Sequence, residues 1–359
     1  MVRILHIVPN MNMGGLETFI MNIYENIDRE KMQFDFLEHY KEESAYDKRI
    51  EELGGKIYHF SFRNDKRIIK YIVSLNKFFR KHKEYKVIHC HMESVGSLVF
   101  FIAKLHGIKV RIGHSHTTSA NNDLKGFIKK IISKPFKYFT TINLACSTEA
   151  GKYLFGKKKF TVIPNAINMD VFKYNLEFRN NLRKEFNISD EKLVIGHVGR
   201  MDKGKNQLFL IDIFNNYIKV NKNALLVLVG AGEDKEKIIN KIDEYKISDK
   251  VILTGIRRDV NKIYSMFDMF IFPSLFEGLP LTLIEAEVNG LNILASSSIS
   301  KECVISNKIK FLNVFDTADK WANEIVNSDR KALFNENKEK YDIKNTIKYL
   351  ESKYIYLNK

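Results

Sequence analysis

Cysteine is scarce in this sequence. Cys90, Cys146 and Cys303 stand far apart among 359 residues, with no C-x-x-C spacing. That argues against a disulfide framework and a structural zinc site, and it points to a reducing, cytoplasmic compartment. Long apolar runs are missing too. The first, Ile4 to Val8, is interrupted by His6 and stopped by Pro9. It falls short of the about 7 to 15 residues of a signal-peptide core and the roughly 20 of a membrane-spanning helix. No other segment reaches that length. There is no internal repeat and no low-complexity segment, Lys157 to Lys159 being only a brief basic run.

What is present is basic and globular. Lysine and arginine number 58 against 43 acidic residues, a net charge of +15, while 28% charged and 45% hydrophobic residues is the mixture of a folded domain rather than a disordered tail. At ~150 residues per domain the length suggests two or three domains. The charge excess therefore sits on a folded surface, and it fits three kinds of partner: nucleic acid, an anionic membrane, or acidic small substrates.

Short Val- and Ile-rich runs alternate with amphipathic stretches, the pattern of an α/β protein. Expected strands are Arg3 to Val8, Phe34 to Leu37, Lys56 to Phe60, Val87 to Cys90, Lys109 to His114, Ile142 to Cys146 and Phe160 to Ile163. After an irregular, Asn- and Pro-bearing break at Pro164 to Asn175, the alternation restarts. Leu193 to Val198, Ala224 to Val229, Lys250 to Thr254, Met269 to Phe272 and Asn292 to Ala295 follow. The expected architecture is two doubly wound parallel-sheet, Rossmann-like domains, 1–168 and 169–335. Their carboxyl-end crevices, where open α/β sheets bind ligands, would face each other across a cleft. Ile343, Ile347, Leu350, Tyr354 and Leu357 keep a helical period, so 336–359 is expected to form a helix crossing back to the first domain.

Several turns carry chemistry. Gly14-Gly15 follows the first strand and precedes a helix, where backbone N–H groups can approach a phosphate, although any βα unit needs a tight turn. Gly199-Arg200 ends the first strand of the second domain and Lys205 opens the next helix. Two cations at a helix N-terminus suit an anion, with Arg offering a planar fork and Lys a point charge; a solvated basic loop is the plainer reading. Gly230-Ala231-Gly232 occupies the equivalent turn after the next strand. Position 235 is Lys235 and the usual acidic residue about twenty positions on is missing, which lowers a dinucleotide dehydrogenase reading. The sharpest signal runs from Pro273 through Glu277-Gly278-Leu279-Pro280 to Glu285. Pro280 suits a first helical turn, so Glu277 precedes the helix and Glu285 lies roughly 7.5 Å inside it. Two such carboxylates could grip the hexose and ribose ends of a nucleotide sugar while Arg200 and Lys205 neutralise its diphosphate. Two glutamates near a helix start are also favoured simply by the helix dipole.

These residues together resemble the retaining, GT-B-fold glycosyltransferases of family four, over nearly the whole chain. The resemblance rests on Gly14-Gly15-Leu16-Glu17, Gly199-Arg200 with Lys205, Gly230-x-Gly232, and Glu277 and Glu285 separated by seven residues. Gly14 to Asn22 together with His114-Ser115-His116 looks like the branch that builds capsular and other exopolysaccharides. The resemblance implies that Arg200 and Lys205 hold the donor diphosphate with Gly15, Gly230 and Gly232 near it. It also implies that Glu285 holds the ribose, that Glu277 meets the transferred sugar, and that Gly278 and Leu279 are donor-binding. His116 matches the family histidine near the reacting sugar, with His114 a close rival, and Glu17 and His114 would stand on the acceptor side. Where the branch often has Asn after the second histidine, this chain has Thr117.

Cleaving a sugar–diphosphate bond puts positive charge on the ring and negative charge on the leaving oxygen, which preorganised cations stabilise. No Asp-x-Asp cluster accompanies these motifs, so transfer is expected without metal or cofactor. Leu124 to Phe139 interleaves Lys125, Lys129, Lys130, Lys134 and Lys137 with large apolar residues. Such a face can lie on anionic lipid, or can be the lysine-coated outside of a domain helix. The expected function is transfer of a hexose-type sugar, from a UDP-sugar, to a lipid-linked or saccharide acceptor at the inner membrane face. The alternatives are a GT-B-fold sugar-nucleotide epimerase or a basic nucleic-acid-binding protein. No recognisable nucleic-acid module supports the last.

Overall fold

The computed structural model describes residues 1–12, 14–60, 68–116, 133, 135–277, 279–326, 330, 332–335 and 337–356. The chain forms two compact units, 1–166 with 343–359, and 167–342. These limits differ by a few residues from the expected 168/169 and 335/336, for a packing reason. Ile167 bridges to Asp342, and both Ile167 and Tyr341 are buried in the second unit's core.

In the first unit, seven parallel strands are ordered β3-β2-β1-β4-β5-β6-β7. They are β1 (Val2–Val8), β2 (Met32–Glu38), β3 (Ile57–His59), β4 (Val87–Cys90), β5 (Val110–Ser115), β6 (Ile142–Ala145) and β7 (Thr161–Val162). Helices cover both faces, which is why the central strands read as unbroken apolar runs. Their side chains still alternate. Ile4 and Val8 join one face with Phe34 and Phe36, whereas Leu5 and Ile7 join the other with Ile88. The final helix, Ile343–Tyr356, packs on β1 and on the helix Gly15–Asn26, and buries Ile343, Ile347, Leu350 and Tyr354 in the first of these faces. Each fully buried large apolar side chain there contributes about 1.5–3 kcal/mol.

The second unit has six parallel strands ordered β10-β9-β8-β11-β12-β13. They are β8 (Leu193–Val198), β9 (Ala224–Val229), β10 (Val251–Gly255), β11 (Met269–Phe272), β12 (Asn292–Ser296) and β13 (Ile309–Leu312). The sequence reading missed β13. Its four residues carry a lysine, bury only Leu312, and pair with β12 alone. Asp268 anchors the base of this sheet, accepting from Arg179 Nη2, Arg183 Nη2 and the Val194 amide, each at 2.7 Å.

In each sheet the strand order reverses between the first strand and its neighbour, β1/β4 and β8/β11. Ligand crevices in open α/β sheets lie outside the carboxyl ends of the strands at such a point. Among the described residues no helix is long and apolar enough to cross a membrane. The basic segment Leu124 to Phe139 lies outside the described residues except for Ser133 and 135–139, so of its five lysines only Lys137 is described.

Candidate active site

The switch point of the second unit collects most of the residues that the sequence singled out. Backbone bonds lock the turns after β8 and β9 together: Gly199 N to Val229 O, Met201 N to Ala231 O and Asp234 N to Met201 O, each 3.0 Å. A side chain at Gly230 would run into the carbonyl of Gly199, and one at Gly232 into that of Met201. Gly230 also has φ +131°. Both glycines are thus demanded by backbone packing between two turns.

Arg200 projects from this platform with 78% of its side chain exposed, its Nε 2.5 Å from Asp202 Oδ2. Burial opposes ionisation of Asp202, but the Arg200 hydrogen bond and backbone amides hold its carboxyl below the usual range. Asp202 Oδ1 in turn accepts from the Lys205 amide at 3.1 Å. Lys205 is less free than Arg200. Its ammonium lies 2.6 Å from Glu277 Oε1, with side-chain exposures of 20% and 14%, and 5.1 Å from the centre of the Phe272 ring. The loop bearing Glu277 is held by Leu275 N to Gly204 O at 2.8 Å and by Asn206 Nδ2 to Pro273 O at 3.2 Å. Asn206 takes the left-handed conformation (φ +59°) just before the helix Gln207–Val220, which Asn tolerates better than most residues.

Glu285 is the fifth residue of the helix Leu281–Val288, with Pro280 as its cap. Its Oε2 accepts from the Tyr264 hydroxyl at 2.7 Å. Burial pushes the carboxyl up to about 7, with the Tyr264 bond pulling the other way. Leu279 packs on the core of the unit, and Gly278 lies outside the described residues.

Three supports escaped the sequence reading. His197 is buried inside β8, donates from Nδ1 to Ile271 O at 2.9 Å, and lies 3.3 Å from Gln207 Nε2, which also donates to Arg200 O at 2.8 Å. Burial lowers His197 to about 4, so it stays neutral and ties the Arg200 turn to β11. Tyr264 orients Glu285. Glu287, buried and pushed up to about 8, accepts from the Ile305 and Ser306 amides at 2.8–3.2 Å and holds the connection after β12. None of the three has a local motif; each depends on partners brought close by the fold.

In the first unit, Gly14 caps the helix Gly15–Asn26, and the Glu17 carboxylate folds back over it, raised from its ordinary value by burial. Beyond its chain neighbours and its own helix, no described residue lies within 4 Å of where a Gly15 side chain would be, which leaves room for a ligand among the described residues. His114 is the penultimate residue of β5 and His116 directly follows the strand; neither stands alone. His116 Nε2 is 3.0 Å from His91 Nδ1, His91 Nε2 is 3.1 Å from His6 Nδ1, and His114 Nδ1 is 3.3 Å from His89 Nε2. His89 Nδ1 reaches the Tyr354 hydroxyl of the final helix at 2.6 Å. The sequence reading named only two of these five histidines, because the other three come from β1, from β4 and from just past its end. Two triads, His6/His89/His91 and His91/His114/His116, have ring nitrogens within 4.8 Å, close enough to hold a metal ion.

Chemically, the second unit offers an exposed guanidinium, an ammonium exchangeable between a carboxylate and an incoming anion, and a buried carboxyl poised near neutrality. The first offers an open glycine turn and a cluster of neutral imidazoles. Residues 178–349 match the family model "Glycosyl transferases group 1", and residues 13–171 match "Glycosyltransferase Family 4". The UDP-Gal:alpha-D-GlcNAc-diphosphoundecaprenol alpha-1,3-galactosyltransferase of Escherichia coli is 26% identical over 279 residues, covering 74% of this chain and 72% of the relative. The capsular polysaccharide biosynthesis glycosyltransferase CapH of Staphylococcus aureus is 26% identical over 317 residues, 86% of this chain and 85% of that one. Among solved structures, Anabaena HepE in complex with UDP superposes with a TM-score of 0.73 at 16% identity, over 100% of this chain and 97% of the other.

Proposed function

Since the chain is a glycosyltransferase of the GT-B class, built of two parallel-sheet α/β units, we propose that it moves a hexose-type sugar from a UDP-sugar to a lipid-diphosphate-linked saccharide, with retention of anomeric configuration, in capsule or exopolysaccharide assembly. The observation that carries this reading is the group Arg200, Lys205, Glu277 and Glu285 around the β8/β11 switch point. Support for the donor and acceptor comes from HepE, solved with UDP, and from the Escherichia coli relative, whose name specifies UDP-Gal and a diphosphoundecaprenol-linked sugar.

In this reading the donor diphosphate draws the Lys205 ammonium from Glu277 and engages the Arg200 fork. Glu277, released, accepts from hydroxyls of the transferred sugar. Glu285, once ionised, accepts from the ribose hydroxyls, and its hydrogen bond to Tyr264 fixes its rotamer. As the bond to the leaving oxygen breaks, the diphosphate gains charge, and two cations already in place lower that barrier without solvent reorganisation. No metal ion is required by this scheme. In the same reading His116 is the histidine assigned to the transferred sugar, and the basic segment Leu124 to Phe139 rests on anionic lipid at the inner membrane face.

The test is transfer from a panel of UDP-sugars to a lipid-diphosphate-linked sugar, with the product's anomeric configuration read by NMR. One donor transferred with retention is the expected result. An inverted product would remove retention from the proposal. Binding of every nucleotide diphosphate unaffected by Arg200→Ala and Lys205→Ala together would remove the site.

A further inference from the structure

Three of the histidines form a line. His6 Nδ1 to His91 Nε2 is 3.1 Å with ring centres 5.4 Å apart, and His91 Nδ1 to His116 Nε2 is 3.0 Å with centres 5.2 Å apart. In both pairs the centres exceed the N···N distance by about a ring's width, which requires the nitrogens to point at one another. The rings of the first pair are within 11° of coplanar, those of the second within 37°. This is the arrangement of imidazoles hydrogen-bonded head to tail.

Such a chain has only two internally consistent proton orders, because a neutral imidazole donates from one nitrogen and accepts at the other. The far end decides between them. His6 is 2% exposed, wedged against Phe34 and Phe36, and its Nε2 has no hydrogen-bond partner among the described residues. A buried N–H left unpaired is rarer than an unpaired acceptor. The proton of His6 therefore belongs on Nδ1, donated to His91 Nε2. His91 must then carry its own proton on Nδ1 and give it to His116 Nε2. His116 is left with Nδ1–H, the form a free imidazole disfavours in water.

We propose that His91, backed by His6, is a positioning residue that locks His116 in the Nδ1–H tautomer, so that His116 offers a hydrogen-bond donor, not a base, to its ligand. The part concerning the ligand rests on the placement of His116 at the transferred sugar; the lock itself does not. Burial keeps all three rings neutral, with His6 and His116 lowered to about 3 and His91 well below its ordinary value. A neutral donor at His116 can bind a sugar hydroxyl oxygen without adding charge beside a ring that becomes positive.

The experiment is 15N–1H NMR of the imidazole nitrogens in the full chain, free of donor and with chelator, for wild type, His91→Leu, His91→Gln and His6→Phe. Wild-type His116 is expected to show a protonated Nδ1. His91→Leu, lacking the donor, should let His116 go over to Nε2–H, and His91→Gln, whose amide can still donate, should hold it at Nδ1–H. His6→Phe should release the tautomer of His91. Wild-type His116 protonated at Nε2, or an unchanged tautomer in His91→Leu, overturns the lock. So does one tightly bound Zn2+ per chain whose removal abolishes the ring-to-ring couplings. Steady-state kinetics then separate the two claims. With the lock in place, His91→Leu should lower kcat/KM roughly 3- to 10-fold, the worth of one neutral hydrogen bond, and His91→Gln should restore it. If the tautomer switches as expected but neither His91→Leu nor His116→Ala alters transfer, the lock stands and the placement of His116 at the sugar falls.

Discussion

If Glu285 holds the donor's ribose, as proposed, it should couple donor binding to pH in a way that Tyr264 tunes. Its carboxyl, at an ordinary 4.5 if exposed, is pushed up to about 7 by burial, and the Tyr264 hydroxyl at 2.7 Å opposes that rise by donating to the charged form. A folded value above the unfolded one means the native state holds the extra proton. Stability therefore falls as pH rises from 4.5 to about 7, by about 3 kcal/mol at 1.36 kcal/mol per unit, and levels off above. A ribose that donates two hydroxyls prefers the carboxylate, so UDP affinity should rise with pH through the same region. Tyr264→Phe removes a hydrogen bond to a charged group, worth about 1.5–3 kcal/mol. The midpoint of the affinity profile should then move up by about 1 to 2 pH units. Calorimetric titration of UDP from pH 5.5 to 9 in wild type, Tyr264→Phe and Glu285→Gln isolates the effect, since titration of the nucleotide's own phosphate is common to all three. Glu285→Gln should show only that common slope. A Tyr264→Phe midpoint unmoved or lowered, or a Glu285→Gln profile identical to wild type, would refute the assignment of Glu285 to the ribose.

Arg200→Ala and Lys205→Ala should each weaken nucleotide diphosphate binding by about 1.5–3 kcal/mol in calorimetry, and the exposed Arg200 should be replaceable with a change in stability within about 0.5 kcal/mol. Transfer should persist in EDTA; loss of turnover restored by Mg2+ or Mn2+ would show that the cations at positions 200 and 205 do not suffice. Gly230→Ala, which forces a side chain against the Gly199 carbonyl at φ +131°, should cost at least about 1–3 kcal/mol in denaturant unfolding and weaken donor binding through the displaced Arg200 turn. Replacing Lys125, Lys129, Lys130 and Lys134 with Gln should release the protein from phosphatidylglycerol vesicles in sedimentation while leaving UDP binding intact, each lysine contributing about 1 kcal/mol near such a surface.

The sequence alone determined the α/β class, the two sheets and nearly all their strands, because a parallel strand covered on both faces must be a short unbroken apolar run. It also singled out Arg200, Lys205, Glu277 and Glu285 as candidates, since turns after strands and the first turn of a helix are local features read over a few residues. β13 escaped because an edge strand with one covered flank needs no such run. Only the tertiary structure decided what those residues touch. That Lys205 pairs with Glu277, 72 positions away, and Glu285 with Tyr264, 21 positions away, depends on which βα turns the strand order makes adjacent. Gly230 and Gly232 read as phosphate turns, yet their backbones are pressed against Gly199 and Met201, a demand visible only once β8 and β9 are paired. The histidine line draws His6, His91 and His116 from across more than a hundred positions, and no spacing announces it. Hydrogen-bond geometry between distant residues is set by register and packing, and the proton order along that line follows from a single buried nitrogen without a partner among the described residues.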